Sequence, residues 1–143
     1  MKYFMKLNVI SILNAIMVFV PIELMLNVYR ISRLTKWEIG TVNTFTVITL
    51  IVEIIGGTIL LVLLTKRWLG ERKANFFTVI LWVPYFVLFI YAFASLFPIT
   101  YRGDVPIPVT GLVIIGGLIT YPFYILILNF FGMTRGDKTV KTA

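Results

Sequence analysis

Histidine and cysteine are both absent from this chain of 143 residues. Their absence excludes disulfides, thiolate or imidazole metal ligands, His-ligated haem and any nucleophile activated by histidine. Acidic residues are also scarce, because six Asp and Glu residues stand against 13 Lys and Arg residues, and charged residues make up only 13% of the chain. Soluble domains carry about 25% charged residues. The sequence therefore has too few charged groups for an ordinary water-exposed surface.

Hydrophobic residues take the place of the missing charges. They make up 59% of the chain, and the mean hydropathy is +0.98. Four apolar runs, at about residues 7–28, 42–64, 76–98 and 108–131, are each long enough to cross a bilayer, which takes about 20 helical residues. Lipid cannot satisfy open backbone groups, so these runs must be helices. We predict an all-α membrane protein in which residues 1–143 form a single integral membrane domain, a small bundle of four transmembrane helices.

The distribution of Lys and Arg predicts the orientation of this bundle. With four spans, the amino terminus, the middle connection and the tail lie on one side and carry nine basic residues, whereas the other two connections carry four. Basic residues accumulate in cytoplasmic segments. We therefore expect both termini to be cytoplasmic in a multi-pass protein of the cell membrane.

The middle connection combines basic residues with a tryptophan. Lys66, Arg67, Trp68, Arg72 and Lys73 are the residues that membrane proteins typically place among lipid headgroups. We interpret them as anchors to the lipid bilayer, with a specific lipid site as the alternative. Nucleic acid is not an expected partner, because no basic stripe with interleaved aromatic residues lies outside the apolar runs.

Two short strings recur at similar offsets. Val20-Pro21 recurs as Val83-Pro84, and the residues 54–57 (Ile-Ile-Gly-Gly) recur at 114–117. The hypothesis is that one two-helix hairpin was duplicated. The alternative is chance recurrence, since isoleucine and glycine are abundant here.

Glu53 is an acid in the middle of the second apolar run. Around a helix at 100° per residue, five polar and small residues of this run fall within about 80° of it; they are Asn43, Thr46, Thr49, Gly56 and Gly57. Small residues and hydroxyls are typical of contacts between membrane helices, so we expect the stripe to face other helices. Gly116 and Gly117 in the fourth run are expected to pack in the same way.

The depth of Glu53 in the bilayer determines its expected protonation. An ionised carboxylate at the bilayer centre costs at least about 2.5–3.5 kcal/mol. No Lys or Arg lies at that depth, whereas Tyr121, Tyr85, Thr120 and Asn14 are available as hydrogen-bonding partners. We expect Glu53 to carry its proton near neutral pH.

Glu23 lies toward the end of the first run, where Arg30 is seven residues further on the same helix face. We expect the two to form an ion pair at the interface. The string Arg102-Gly103-Asp104 is interpreted as a charged turn.

These residues do not readily form a catalytic site, because the two buried acids lie at different depths and histidine is absent. We expect no enzymatic activity, no cofactor and no metal site. The first functional hypothesis is a non-catalytic subunit or assembly partner in a membrane complex, formed with other membrane protein chains as a homo- or hetero-oligomer. The alternative is an oligomeric proton-coupled transporter or channel that uses Glu53. Its layout is similar to that of small four-helix multidrug transporters, although their essential acid is in the first helix and here it is in the second.

Overall fold

The computed structural model describes residues 1–134, which are helical apart from short connections and contain no strand. Four helices are long and apolar enough to cross a membrane: α1 (Lys2–Leu26), α3 (Ile39–Leu64), α4 (Thr78–Leu96) and α5 (Pro108–Thr134). A short helix, α2 (Val28–Thr35), lies between α1 and α3. The predicted set of four spans is confirmed. Arg135, Lys138 and Lys141, which contributed to the predicted orientation, lie outside the described residues.

The helix ends differ from the predicted ends for local reasons. The first helix begins at Lys2 rather than at residue 7, and it ends at Leu26, where Asn27 leaves helical geometry. The Asn27 side-chain amide donates to the backbone oxygen of Glu23 at 2.8 Å and so satisfies one of the last carbonyls of α1. The chain resumes at once as α2, which was not predicted as a separate helix.

The middle connection also contains helical turns. After α3 the chain widens into a π-helical turn, Thr65–Leu69, which ends at Gly70. The φ of Gly70 is +62°, a conformation that glycine adopts without strain. A 3₁₀ turn, Lys73–Phe77, then leads into α4. The connection is therefore short and regular rather than a loose loop.

Helix α1 is at the centre of the bundle. In its apolar window 39% of the residues are buried, against 6% for α3 and 11% for α4 and α5. It packs against α3, α4 and α5, whereas α3 and α4 have at most marginal contact with each other. The ring of Phe19 in α1 lies 5.7 Å from that of Phe89 and 6.0 Å from that of Phe93 in α4, so these two helices pack side by side.

The buried side chains form two apolar clusters along α1. One joins Ile10 of α1 to Leu61 of α3 and Leu128 of α5. The other joins Ile22 of α1 to Trp82 of α4.

We call the end of the bundle formed by residues 27–38 and 97–107 the connection end. The opposite end, with the start of α1, residues 65–77 and the end of α5, is the terminus end.

Candidate functional site

Glu53 lies near the middle of α3 and is half-buried. Its Oε2 atom is buried and has no hydrogen-bond partner within residues 1–134. The two ion pairs found in this part of the chain both involve Asp104, so none neutralises Glu53. Tyr121 of α5 is close enough to interact with it electrostatically. An acid at this depth without a bonded partner is energetically costly.

The tyrosines expected near Glu53 donate their hydroxyls elsewhere. The Tyr121 hydroxyl donates to the backbone oxygen of Asn14 at 2.6 Å. The Tyr85 hydroxyl donates to Oδ1 of Asn8 at 2.5 Å. The structure therefore does not bring Tyr85 or Tyr121 into a hydrogen bond with Glu53, and both tyrosines join α1 to a neighbouring helix instead.

The polar residues before Glu53 on α3 point in different directions. The Thr46 hydroxyl donates to the Val42 oxygen and the Thr49 hydroxyl to the Phe45 oxygen, both at 2.9 Å within the helix. Thr46 is buried, whereas Thr49 is half-buried and Asn43 is exposed. The predicted stripe is therefore split between the interior of the bundle and its surface.

The four glycines predicted to pack helices together also divide into two groups. Gly57 lies against α1, because an added Cβ would collide with the sulfur of Met17. At Gly56, Gly116 and Gly117 an added Cβ would meet nothing within 4 Å. Within the single chain, three of the four glycines therefore make no close helix contact.

At the connection end, Asp104 is the centre of a charged cluster. It is buried, and Arg33 of α2 binds it in a two-pronged contact, with Nε to Oδ1 at 3.0 Å and Nη2 to Oδ2 at 2.7 Å. The Arg33 guanidinium also lies 5.0 Å from the centre of the Tyr101 ring. The bond from Arg33 holds the pKa of Asp104 below its ordinary value, and the same bond raises the pKa of Arg33.

Arg30 also belongs to this cluster, and it does not form the ion pair expected with Glu23. Its guanidinium donates to the backbone oxygens of Phe97 and Pro98 at 3.0 Å, where it caps α4, and its Nε lies 3.7 Å from Asp104. Glu23 instead accepts a hydrogen bond from the Asn27 amide at 3.0 Å. The predicted pair is wrong because unpaired carbonyls at the end of α4 and the carboxylate of Asp104 hold the guanidinium.

At the terminus end the connecting contacts are neutral. Asn75 is fully buried; its amide donates to the Gly70 oxygen at 2.6 Å, and its Oδ1 accepts from the Tyr3 hydroxyl at 2.8 Å. Asn129 of α5 donates to the Thr78 hydroxyl at 2.9 Å and to the Asn75 oxygen at 3.3 Å. We call these five residues the asparagine network. It joins the start of α1, the middle connection and the end of α5.

The sequence interpretation missed this network and the Arg33–Asp104 contact. A signal was available in both cases. Asn75 and Asn129 are amides at the ends of apolar runs, and Arg33 and Asp104 are opposite charges on the same side of the predicted topology.

The basic residues of the middle connection surround this network on the outside. The π-helical turn buries Thr65 and Leu69 and leaves the three residues between them exposed. Arg72 and Lys73 are exposed as well. The guanidinium carbon of Arg72 lies 4.6 Å from the centre of the Tyr3 ring, which links Arg72 to the asparagine network.

No protein family, curated protein or solved structure matches this chain. Its four apolar helices are compatible with a small multi-pass membrane protein. The features of the chain that bear on its function are therefore Glu53 and the side chains at the two ends of the bundle.

Proposed function

We propose that this protein is a non-catalytic subunit that assembles with another membrane chain, a second copy included, through the side of α3 that carries Thr49, Glu53 and Gly56. We call these three residues the Glu53 face. The observation that carries the proposal is the carboxyl of Glu53, which is half-buried rather than enclosed and forms no hydrogen bond within residues 1–134. A polar group left without a partner in hydrocarbon favours contact with a helix that supplies one.

The shape of the Glu53 face suits such a helix. At 100° per residue the three side chains fall within about 60° of one another. Thr49 and Glu53 are half-buried, and Gly56 has open space above it. A neighbouring backbone can approach closely where a glycine provides no side chain.

The free energy of helix association favours the binding of a partner helix to the Glu53 face. One hydrogen bond between membrane helices contributes about 0.6–2 kcal/mol, to which the packing at the glycine adds. Because a protonated carboxyl can both donate and accept, the partner helix needs only a hydroxyl, an amide or a second carboxyl at that depth.

The proposal is tested by purifying the tagged protein from its native membrane in a mild detergent and determining the mass of the particle. We expect a mass larger than one 16.4 kDa chain. Glu53→Gln keeps the hydrogen-bonding capacity and should keep the complex, whereas Glu53→Leu and Gly56→Leu should dissociate most of it.

Gly116→Leu is the matched control, because Gly116 is also a membrane-helix glycine with open space above it. Retention of the complex in this variant would place the contact on α3. A single-chain mass for the unmodified protein would overturn the proposal, and so would equal behaviour of the Gly56 and Gly116 variants.

A cavity favours proton-coupled transport as a second candidate function. It measures about 390 Å³ and lies between α1, α3 and α5, with Leu50 and Ile54 of α3 in its wall beside Tyr121 and Thr120 of α5. These α3 residues are close neighbours of Glu53 in the sequence. Glu53 itself does not line the cavity. An ionisable residue within a membrane span is nevertheless a feature of proton pathways in carriers.

Liposomes separate the two functions. The second candidate predicts proton-coupled flux that Glu53→Gln abolishes while the mass of the complex is unchanged. The assembly function predicts no flux in either protein and a complex that survives this substitution.

A further inference from the structure

The terminus end carries most of the positive charge of the described residues. Six basic residues and one acid lie there: Lys2, Lys6, Lys66, Arg67, Arg72, Lys73 and Glu71. The connection end carries four basic residues and two acids, and within residues 1–134 it contains both ion pairs. The cations of the terminus end therefore form no ion pair in this part of the chain.

One of these cations is held in place. Arg72 lies over the Tyr3 ring, with 4.6 Å between the guanidinium carbon and the ring centre. The ring attracts the charge and uses none of the five N–H donors of the guanidinium. Those donors can bind the oxygens of a phosphate in a two-pronged contact.

The platform under Arg72 is held by hydrogen bonds. The Tyr3 hydroxyl donates to Asn75, which is fully buried and donates in turn to the Gly70 oxygen in the same connection. Arg72 lies between Gly70 and Asn75 in sequence, so this bond closes the backbone around it. A cation that already packs on a ring loses less entropy when it binds a ligand.

Exposed aromatic residues mark the level of this end in the bilayer. Trp68, Phe76 and Phe77 lie on the surface beside the basic residues. Aromatic residues are enriched at the membrane–water interface, where lipid headgroups lie. The phosphates available at this depth are therefore those of bilayer lipids.

We propose that the terminus end holds a binding site for the headgroup of an anionic phospholipid, with Arg72 on Tyr3 as its fixed cation. Lys66, Arg67 and Lys73 supply the surrounding positive charge. This site goes beyond the proposed assembly function, because it lies at the end of the bundle and shares no residue with the Glu53 face.

The experiment is native mass spectrometry of the purified protein titrated with phosphatidylglycerol in detergent. Phosphatidylcholine is the zwitterionic comparator and inorganic phosphate the soluble one. We expect phosphatidylglycerol to bind more tightly than either. Arg72→Gln should weaken its binding about fivefold, the value of one basic residue at an anionic membrane surface.

Three further variants test the position of the charge. Tyr3→Leu removes the ring but no charge and should also weaken binding, whereas Tyr3→Phe keeps the ring and should bind nearly as the unmodified protein does. Lys36→Gln removes one exposed charge from the connection end and should change nothing. Arg67→Gln replaces Arg72→Gln as the test if the latter does not fold.

Three outcomes would overturn the site. The first is equal weakening of binding by Arg72→Gln and Lys36→Gln, which would show that only the overall charge matters. The second is phosphatidylcholine binding as tightly as phosphatidylglycerol. Loss of a co-purified protein in Arg72→Gln, with lipid binding unchanged, would assign the surface to an acidic protein segment and would also contradict the proposal.

Discussion

The two ends of this bundle are held together by different kinds of contact. At the connection end the contacts are ionic, because Arg33 and Arg30 surround the buried Asp104 and Arg30 also caps α4. At the terminus end they are neutral, because Asn75 and Asn129 bind hydroxyls and backbone oxygens. The charged residues of that end, apart from the half-buried Lys6, are left exposed around them.

This difference shows what each end can do. Charges that are already paired within a chain contribute to its stability and have little capacity to attract a ligand. Exposed and unpaired cations contribute little to folding but attract anions. The connection end therefore joins two loops of the same chain, whereas the terminus end is suited to a partner outside it.

The largest effect is expected from Asn75→Ala. This substitution removes a fully buried side chain and leaves the Tyr3 hydroxyl and the Gly70 oxygen, whose bonds to it are part-buried, without their partner. Each unsatisfied buried group costs about 1–3 kcal/mol. Thermal unfolding in detergent should show the loss. Asn43→Ala, at an exposed position in α3, is the matched control and should leave the unfolding temperature nearly unchanged.

Gly132→Val tests how tightly the terminus end is packed. A Cβ at Gly132 would lie 2.8 Å from Cγ2 of Thr65, so the larger side chain must push α5 away from the π-helical turn. Overpacking of this kind costs about 1–3 kcal/mol. Gly40→Val, in the first turn of α3 next to the connection end, is the control, because a Cβ there meets nothing within 4 Å. Equal unfolding temperatures for the two variants would contradict tight packing at the terminus end.

Acid should loosen the connection end selectively. The pKa of Asp104 is lowered in the folded protein from its ordinary value of 3.8, chiefly by the hydrogen bond from Arg33. The stabilisation is therefore complete above about pH 4 and is lost as the pH falls through the lowered value. The unfolding temperature should drop in this acid range, and Asp104→Asn should be less stable at neutral pH and flatten the drop. An unchanged acid profile in this variant would contradict the role of Asp104.

The smallest effect is expected from Tyr3→Phe. It removes one hydrogen bond to Asn75 but keeps the ring under Arg72. A single hydrogen bond of this type contributes about 0.5–1.5 kcal/mol. Chemical denaturation in detergent should show a loss of that size, clearly smaller than that of Asn75→Ala. A loss as large as that of Asn75→Ala would mean that Tyr3, and not Asn75, is the centre of the network.

The spans and the lack of a cation near Glu53 could be predicted, because each depends on residues close together in the sequence. The central place of α1 could not, because all four helices are largely apolar and the one stripe that was expected to face neighbours, on α3, is split between the interior of the bundle and its surface. The contact between Arg33 and Asp104 could not be predicted either, because the two residues are 71 positions apart in the sequence. The predicted topology put both residues on the same side of the membrane, but it could not show that they are in contact. Because Asp104 was not recognised as a partner of Arg30, the ion pair of Arg30 was predicted with Glu23.

The most direct test of the contrast between the two ends is thermal unfolding in detergent, with and without phosphatidylglycerol, of the unmodified protein, Arg72→Gln and Asp104→Asn. A ligand that binds the folded state raises the unfolding temperature. Asp104→Asn should unfold at a lower temperature in both conditions and keep the full gain from lipid. Arg72→Gln should match the unmodified protein without lipid and, at a lipid concentration near the Kd, lose most of the gain. The contrast is contradicted if Arg72→Gln keeps the full gain, or if Asp104→Asn loses it.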